Sequence, residues 1–146
     1  MRYTLRQSRA DDIDWLYELN CASYRDVVVR QFGGWDDAVQ RQIFFSRWQG
    51  PRAARIIQSG TERIGVLILE QRGDYDWLQE IQISPYLQGQ GLGSSLLREL
   101  IADARSRGVP VRLQVLHANE GARRLYERLG FVVIQKLDNH HLMEIA

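Results

Sequence analysis

One cysteine, Cys21, stands in a chain of 146 residues, which excludes an internal disulfide and any cysteine cluster for zinc. It falls on the apolar side of a predicted helix, the place of a buried structural thiol rather than a nucleophile. Charge of one sign is missing too. Lys and Arg number 19 against 18 Asp and Glu, and a formal charge of +1 gives no global field for nucleic acid or an anionic membrane. Three histidines without clustered acids or cysteines make no metal site. No apolar run approaches a membrane span, and the stretch Met1 to Gln7 has no apolar signal core, so the cytoplasm is the expected compartment. Repeats, low-complexity tracts and linkers are absent.

What is present is an ordinary globular mixture, 45% hydrophobic and 25% charged. Residues 1–146 read as one domain, large enough to bury roughly two-thirds of its unfolded surface. Tyr3 and Leu5 alternate with polar neighbours in a short strand. Ser8 then precedes Asp11 and Asp12 as a plausible helix cap. Ile13, Leu16, Tyr17, Cys21, Tyr24, Val27 and Val28 keep helical spacing to about Arg30, and Phe32-Gly33-Gly34-Trp35 breaks it. A second helix from about Asp36 to Trp48 carries Val39, Ile43 and Phe44 and ends at Gly50-Pro51. Ala53 to Gln58, Ile64 to Glu70 and Tyr75 to Ile83 read as strands. Further along, Val111, Leu113 and Val115 alternate, Ala122, Leu125, Tyr126 and Leu129 form a short helix stopped by Gly130, and Phe131 to Lys136 pairs with His141 to Ile145. The order predicts an α/β domain on a mixed, mostly antiparallel sheet flanked by helices.

The stretch from Leu78 to Ser95 organises the rest. Ile81 and Ile83 alternate with Glu80 and Gln82 at a strand end, and Pro85 has no N–H to continue pairing. Gly89, Gly91 and Gly93 follow at every second position. Behind them Leu92, Leu96, Leu100 and Ala104, widened by Leu97 and Ile101, mark an amphipathic helix. Strand, glycine turn and helix start together suit an anion, because the helix start exposes N–H groups and the positive end of the macrodipole. The same glycines also serve a tight loop with positive φ. A Walker loop is disfavoured, since Gly93 is followed by Ser94 without a lysine. The dinucleotide fingerprint fails as well, because counting from Gly89 puts Ser94 at its last position.

The run Gln88-Gly89-Gln90-Gly91-Leu92-Gly93 resembles the Q/R-x-x-G-x-G/A signature of the GCN5-related N-acetyltransferases. The preceding Ile-Gln-Ile-Ser-Pro-Tyr is similar to that family's fourth strand and its exit. Asn119 to Phe131 is similar to its second recurrent block, and the element order extends the likeness over nearly the whole chain. The resemblance implies a GNAT-like acyl-CoA N-acyltransferase fold. It also implies acetyl-coenzyme A with its pyrophosphate on the backbone of Gln88, Gly89, Gln90, Gly91, Leu92, Gly93 and Ser94. Backbone groups of Ile81 and Ile83 would pair with the pantetheine arm, and Asn119 would contact it, although Asn119 also fits an N-cap.

Acetyl transfer to an amine needs a base for the amine proton and an acid for the leaving thiolate. Tyr126 matches the family's general acid, and a phenol near pKa 10 can protonate a thiolate of similar basicity. It also fits the apolar stripe of a core helix. Glu80, on the strand face opposite Ile81 and Ile83, is the candidate base, with a solvated strand carboxylate as the bland alternative. His117 is a second candidate, since an imidazole titrates near neutrality. The family's acceptor pocket maps onto Trp35, Phe32 and Tyr24, with Trp15, Trp48 and His140 around them. Trp35 fits equally as a staple between two helices. The expected partner is a small-molecule or peptide amine, with no nucleic acid, no membrane and no metal, and a homodimer is left open. The rival reading is a non-catalytic acyl-CoA-binding or sensing domain.

Overall fold

The computed structural model describes residues 2–47 and 54–146. In chain order the elements are β1 (Thr4–Gln7), α1 (Ile13–Phe32), α2 (Asp37–Arg47), β2 (Arg55–Ser59), β3 (Glu62–Gln71), β4 (Asp76–Ile83), α3 (Leu92–Ser106), β5 (Val111–Leu116), α4 (Glu120–Leu129), β6 (Val132–Lys136) and β7 (His140–Ile145). Single 3-10 turns precede α1 and follow β4. The seven strands form one mixed sheet in the order β1-β2-β3-β4-β5-β7-β6, flanked by four helices. β4 and β5 run parallel, in register from Asp76↔Val111 to Leu78↔Leu113. Trp48, Gly50, Pro51 and Ala53, which the sequence places at the end of the second helix and the start of a strand, lie outside the described residues.

The chain divides into two compact units, Met1–Ile68 with Glu80–Gln90, and Leu69–Gln79 with Gly91–Ala146. In the first, Leu16 and Leu19 of α1 join Ala54, Ile56 and Val66 in a buried cluster, against which Trp15, Phe44 and Ile68 pack. Each buried Leu, Ile or Val side chain of the cluster contributes about 1.5–3 kcal/mol by leaving water. In the second, the whole apolar stripe of α3 is buried, namely Leu92, Leu96, Leu97, Leu100, Ile101 and Ala104. Val111, Leu113 and Val115 turn one face of β5 inward, as the alternation requires. Arg107 forks onto buried Asp76 and also reaches Asp103 one helical turn back.

Three details depart from the sequence reading. Helix α1 begins at Ile13 with Asp12 at its cap position, four residues past Ser8. Ser8 is buried and its N–H donates to the Ala54 carbonyl at 2.9 Å. Asp12 is the residue that organises this corner. Its carboxylate accepts from the Arg9 N–H at 2.7 Å and from Arg6 at 2.8 and 3.0 Å, with Arg63 at 3.3 Å. Cys21 is half-buried rather than enclosed. On α2, Val39 and Ile43 are exposed, because the helix is held by other groups. Tyr17 donates to Asp37 Oδ1 at 2.8 Å and meets Phe44 and Phe45 at ring-centroid distances of 5.4 and 6.0 Å.

Gly65, in the middle of β3, has an ordinary negative φ and looks replaceable in the sequence. A Cβ there would lie 2.4 Å from the backbone carbonyl of Gln82 and 3.1 Å from side chains of Ile57 and Ile83. Backbone must shift to admit it. Gly65→Ala is therefore expected to lower the melting temperature by several degrees and displace Gln82, read by calorimetry and by amide shifts of residues 80–84; an unchanged Tm would refute the contact. The Asp12 pKa is held down near 2, chiefly by the hydrogen bond from Arg6. Its contribution to stability is complete above the ordinary carboxylate pKa and is lost as pH falls through about 2. Asp12→Asn should cost about 2–3 kcal/mol at neutral pH, and the deficit against wild type should shrink in urea titrations repeated toward pH 2.

Candidate functional site

A polar network sits on β4 in the first unit. Glu80 and Gln82 are two residues apart and so share one face of the strand. Asn20 and Tyr24 are four apart on α1 and share one face of the helix. The Tyr24 hydroxyl donates to Glu80 Oε2 at 2.7 Å, and the Gln82 amide donates to the same oxygen at 3.1 Å and to Asn20 Oδ1 at 3.3 Å. Both donors converge on Oε2; among the described residues Oε1 receives no hydrogen bond. Burial raises the Glu80 pKa above the ordinary carboxylate range, while the bonds from Tyr24 and Gln82 and the charge of Arg47 pull the other way. Burial wins. A carboxylate with one bound and one open oxygen and a raised pKa has the properties of a proton acceptor.

The structure thus brings together two residues named in different roles, Glu80 as base and Tyr24 on the acceptor side. It adds Asn20 and Gln82, which the sequence reading passed over. Their signal was present in the i, i+4 spacing of Asn20 and Tyr24 and the i, i+2 spacing of Glu80 and Gln82. Nothing local, however, says which helix face meets which strand face. The aromatic residues divide. Trp15 packs against the α1–β2–β3 cluster under the guanidinium of Arg63, 5.1 Å from its ring, and so belongs to the core. Phe32 ends α1 and is 55% exposed, and Trp35 is half-buried just past Gly33 and Gly34. Gly33 takes φ 85° and its N–H caps α1 on Val29. Trp48 lies outside the described residues, and His140 belongs to the second unit.

The glycine turn is contributed piecewise. In the first unit Pro85 opens a 3-10 turn, and Gln88 donates its side-chain amide to the Ile83 carbonyl at 3.1 Å. Gln88 therefore spends its side chain on the strand end, and what it offers an anion is backbone. Gly89 takes φ 81° with open space where a Cβ would stand. In the second unit Gly91, also at φ 81°, caps α3, and its carbonyl accepts the first helical bond from Ser95 at 2.9 Å. The N–H groups of Leu92, Gly93 and Ser94 consequently have no acceptor within the helix. The first turn of α3 holds no acidic side chain, whereas α1, α2 and α4 carry Asp14, Asp37 and Glu120 there. A helix start kept clear of its own carboxylates fits a phosphate.

Also in the second unit, Asn119 caps α4 by accepting from the Ala122 N–H at 3.3 Å. Tyr126 is half-buried, its ring edge-on to Phe131 at 5.7 Å. Asn119 and Tyr126 fall on one side of the helix, since seven residues make nearly two turns. His117 follows β5, its N–H bonded to the Asn139 carbonyl at 3.1 Å and its ring 4.5 Å from that of His141.

Sheet order, glycine turn and acid-free helix start together define a mixed α/β domain with an anion-compatible helix start. The PaiA N-acetyltransferase of Thermoplasma acidophilum, solved in complex with coenzyme A, superimposes with a TM-score of 0.78 at 17% identity, covering 99% of this chain and 98% of that one. The ribosomal-protein-S18-alanine N-acetyltransferase of Escherichia coli gives 0.68 at 24% identity, over 99% and 93%. The model of the acetyltransferase (GNAT) family matches residues 14–131, and the chain belongs to that family. Among curated relatives, an uncharacterized N-acetyltransferase of Methanocaldococcus jannaschii is 27% identical over 149 residues, covering 88% of this chain and 60% of its own length. The ribosomal protein bS18 alanine N-acetyltransferase of Salmonella typhimurium is 35% identical over 92 residues, 62% of each chain. The chain spans about three-fifths of the length of these two relatives.

The Tyr24 bond stabilises the ionised form of Glu80, so its removal leaves burial less opposed. Tyr24→Phe should push the Glu80 pKa up and shift the acidic limb of the kcat/KM profile to higher pH. The shift is measured by initial rates from pH 5 to 9 with thiol release as readout; a limb that stays in place would detach Glu80 from that limb.

Proposed function

We propose that the protein is an N-acetyltransferase that moves an acetyl group from acetyl-CoA directly to a primary amine. The observation that carries this is the half-buried Glu80 carboxylate, which accepts from Tyr24 and Gln82 at Oε2, in a chain of the GNAT family. The residues of the glycine turn fit the donor on their own evidence, two positive-φ glycines with free space and a helix start without acids. In this reading the backbone of Gln88 to Ser94 holds the pyrophosphate, and Ile81, Ile83 and Asn119 hold the pantetheine arm. Acetyl-CoA supplies the acetyl group as an activated thioester.

The chain's own residues handle protons and orientation. Glu80 takes a proton from the acceptor ammonium at Oε1. Tyr126 holds, on its hydroxyl, the proton that a departing thiolate requires. Tyr24 tunes Glu80, while Phe32 and Trp35 offer apolar and cation–π contacts to the amine-bearing molecule. The acceptor is a small molecule or the amine of a peptide or protein. The Salmonella relative named for a ribosomal protein's alanine supports the peptide α-amine as the first to try.

Tyr126→Phe removes one hydroxyl and keeps the ring packed on Phe131. It should bind acetyl-CoA with wild-type affinity and lose about 10²-fold or more in kcat. Calorimetric titration and an amine panel with thiol detection test both halves. Wild-type protein that binds acetyl-CoA but acetylates nothing across that panel would be an acyl-CoA-binding or sensing domain instead.

A further inference from the structure

The network on β4 contains a residue that meets the carboxylate only through a neighbour. Gln82 is buried and is held from both sides. On the strand side, its backbone carbonyl occupies the space beside Gly65, 2.4 Å from where a Cβ would stand, and the Ser84 N–H donates to the Ile64 carbonyl at 2.8 Å. On the helix side, Gln82 Nε2 donates to Glu80 Oε2 at 3.1 Å and to Asn20 Oδ1 at 3.3 Å. A primary amide nitrogen carries two hydrogens, and these two oxygens take both.

The direction of that amide matters. Turned over, Gln82 would set its own oxygen against Glu80 Oε2 and Asn20 Oδ1. A carboxylate only accepts, so the turned amide suits a protonated Glu80 alone, and only if Asn20 turns with it. The arrangement in the structure therefore belongs to the ionised carboxylate, whose bonds from neutral donors are charge-assisted and strong. An apolar residue at position 20 would leave a buried N–H of Gln82 unmet and would free the amide to turn.

Asn20 and Tyr24, one helical turn apart on α1, thus act on one oxygen by two routes. Tyr24 reaches Oε2 directly at 2.7 Å, and Asn20 reaches it through Gln82. From α2 the charge of Arg47 also favours the ionised form. We propose that Asn20 and Gln82 are positioning residues for the proton acceptor: Asn20 holds the Gln82 nitrogen toward Glu80 Oε2, which keeps that oxygen occupied by donors and directs the amine proton to Oε1. The assignment rests on the acetyl-transfer reading above.

Carbon-13 titration of the Glu80 carboxyl in the free protein tests it without reference to activity. Asn20→Leu keeps the shape of asparagine and removes its oxygen. Loosening a donor to the ionised form should raise the Glu80 midpoint by about one pH unit. In a Gln82→Met background, where that donor is already gone, the same substitution should move the midpoint no further. A third measurement needs no variant: in wild type, the side-chain amide signals of Asn20 and Gln82 should both titrate with the Glu80 midpoint. A midpoint unmoved by Asn20→Leu, an equal shift in both backgrounds, or Asn20 signals that stay constant would each overturn the relay. In kinetics, the acidic limb of kcat/KM should rise with the carboxyl midpoint in Asn20→Leu while acetyl-CoA affinity stays at the wild-type value. A limb that stays in place while the midpoint moves overturns the positioning role and leaves acetyl transfer intact. Wild-type protein that acetylates no amine would end the acetyl-transfer reading, and the positioning role with it, even with every titration as expected.

Discussion

The hydrogen bond from Tyr24 to Glu80 is the constraint around which the first unit is arranged. A carboxylate withdrawn from water loses solvation that only donors can replace, and here the donors come from a helix tyrosine and a strand glutamine at 2.7 and 3.1 Å. Both elements must therefore hold register. A one-residue slip of β4 would present Ile81 where Glu80 stands and leave the Tyr24 hydroxyl facing a methyl group. Gly65 serves the same requirement from the neighbouring strand, because only a residue without Cβ admits the Gln82 carbonyl at the observed approach. Replacement of both donors by apolar groups would disturb packing little and would leave the charge unsupported. The network is thus a cost in stability, for which the proton transfer proposed for Glu80 would account.

The second unit solves a related problem with less burial. No residue of α4 is fully enclosed, and the helix is fixed at its ends, by Asn119 at the start and by Gly130 at φ 108° after the last turn. Those two caps orient Tyr126, which leans edge-on against Phe131. A helix held by its caps keeps its polar face free, and on that face Arg123 reaches both Glu127 and His141. Asn119 accordingly has a structural task whether or not it also meets a ligand.

Local periodicity made much of the fold legible. Every apolar position of the α3 stripe is buried, the alternation of β5 points inward as read, and the glycine turn falls between strand and helix. What stayed hidden depends on pairings across the chain. Ser8, Asp11 and Asp12 are all competent caps by residue type, and the arginines that select Asp12 include Arg63, 51 residues away. Asn20 and Gln82 are 62 residues apart, and His141 meets Arg123 only because β7 lies beside β5. On α2 the spacing of Val39 and Ile43 suggested a buried stripe, yet Tyr17, Phe44 and Phe45 hold the helix instead. Aromatic contacts on one side made the other side dispensable.

The same division explains why donor and acceptor differ in legibility. The anion site proposed at the start of α3 would be written in backbone, through glycines that free the N–H groups and through the absence of an acid such as α1, α2 and α4 carry in their first turns. Even Gln88 commits its side chain to the Ile83 carbonyl, so that a ligand there would meet its main chain. Backbone recognition needs particular spacings of glycine, and spacing is what a sequence displays. Acceptor choice would instead rest on side chains such as Phe32, Trp35 and Tyr24, whose identity names apolar surface without giving its shape. A chain can therefore point to the acetyl donor proposed for it while leaving open the amine that would receive the group.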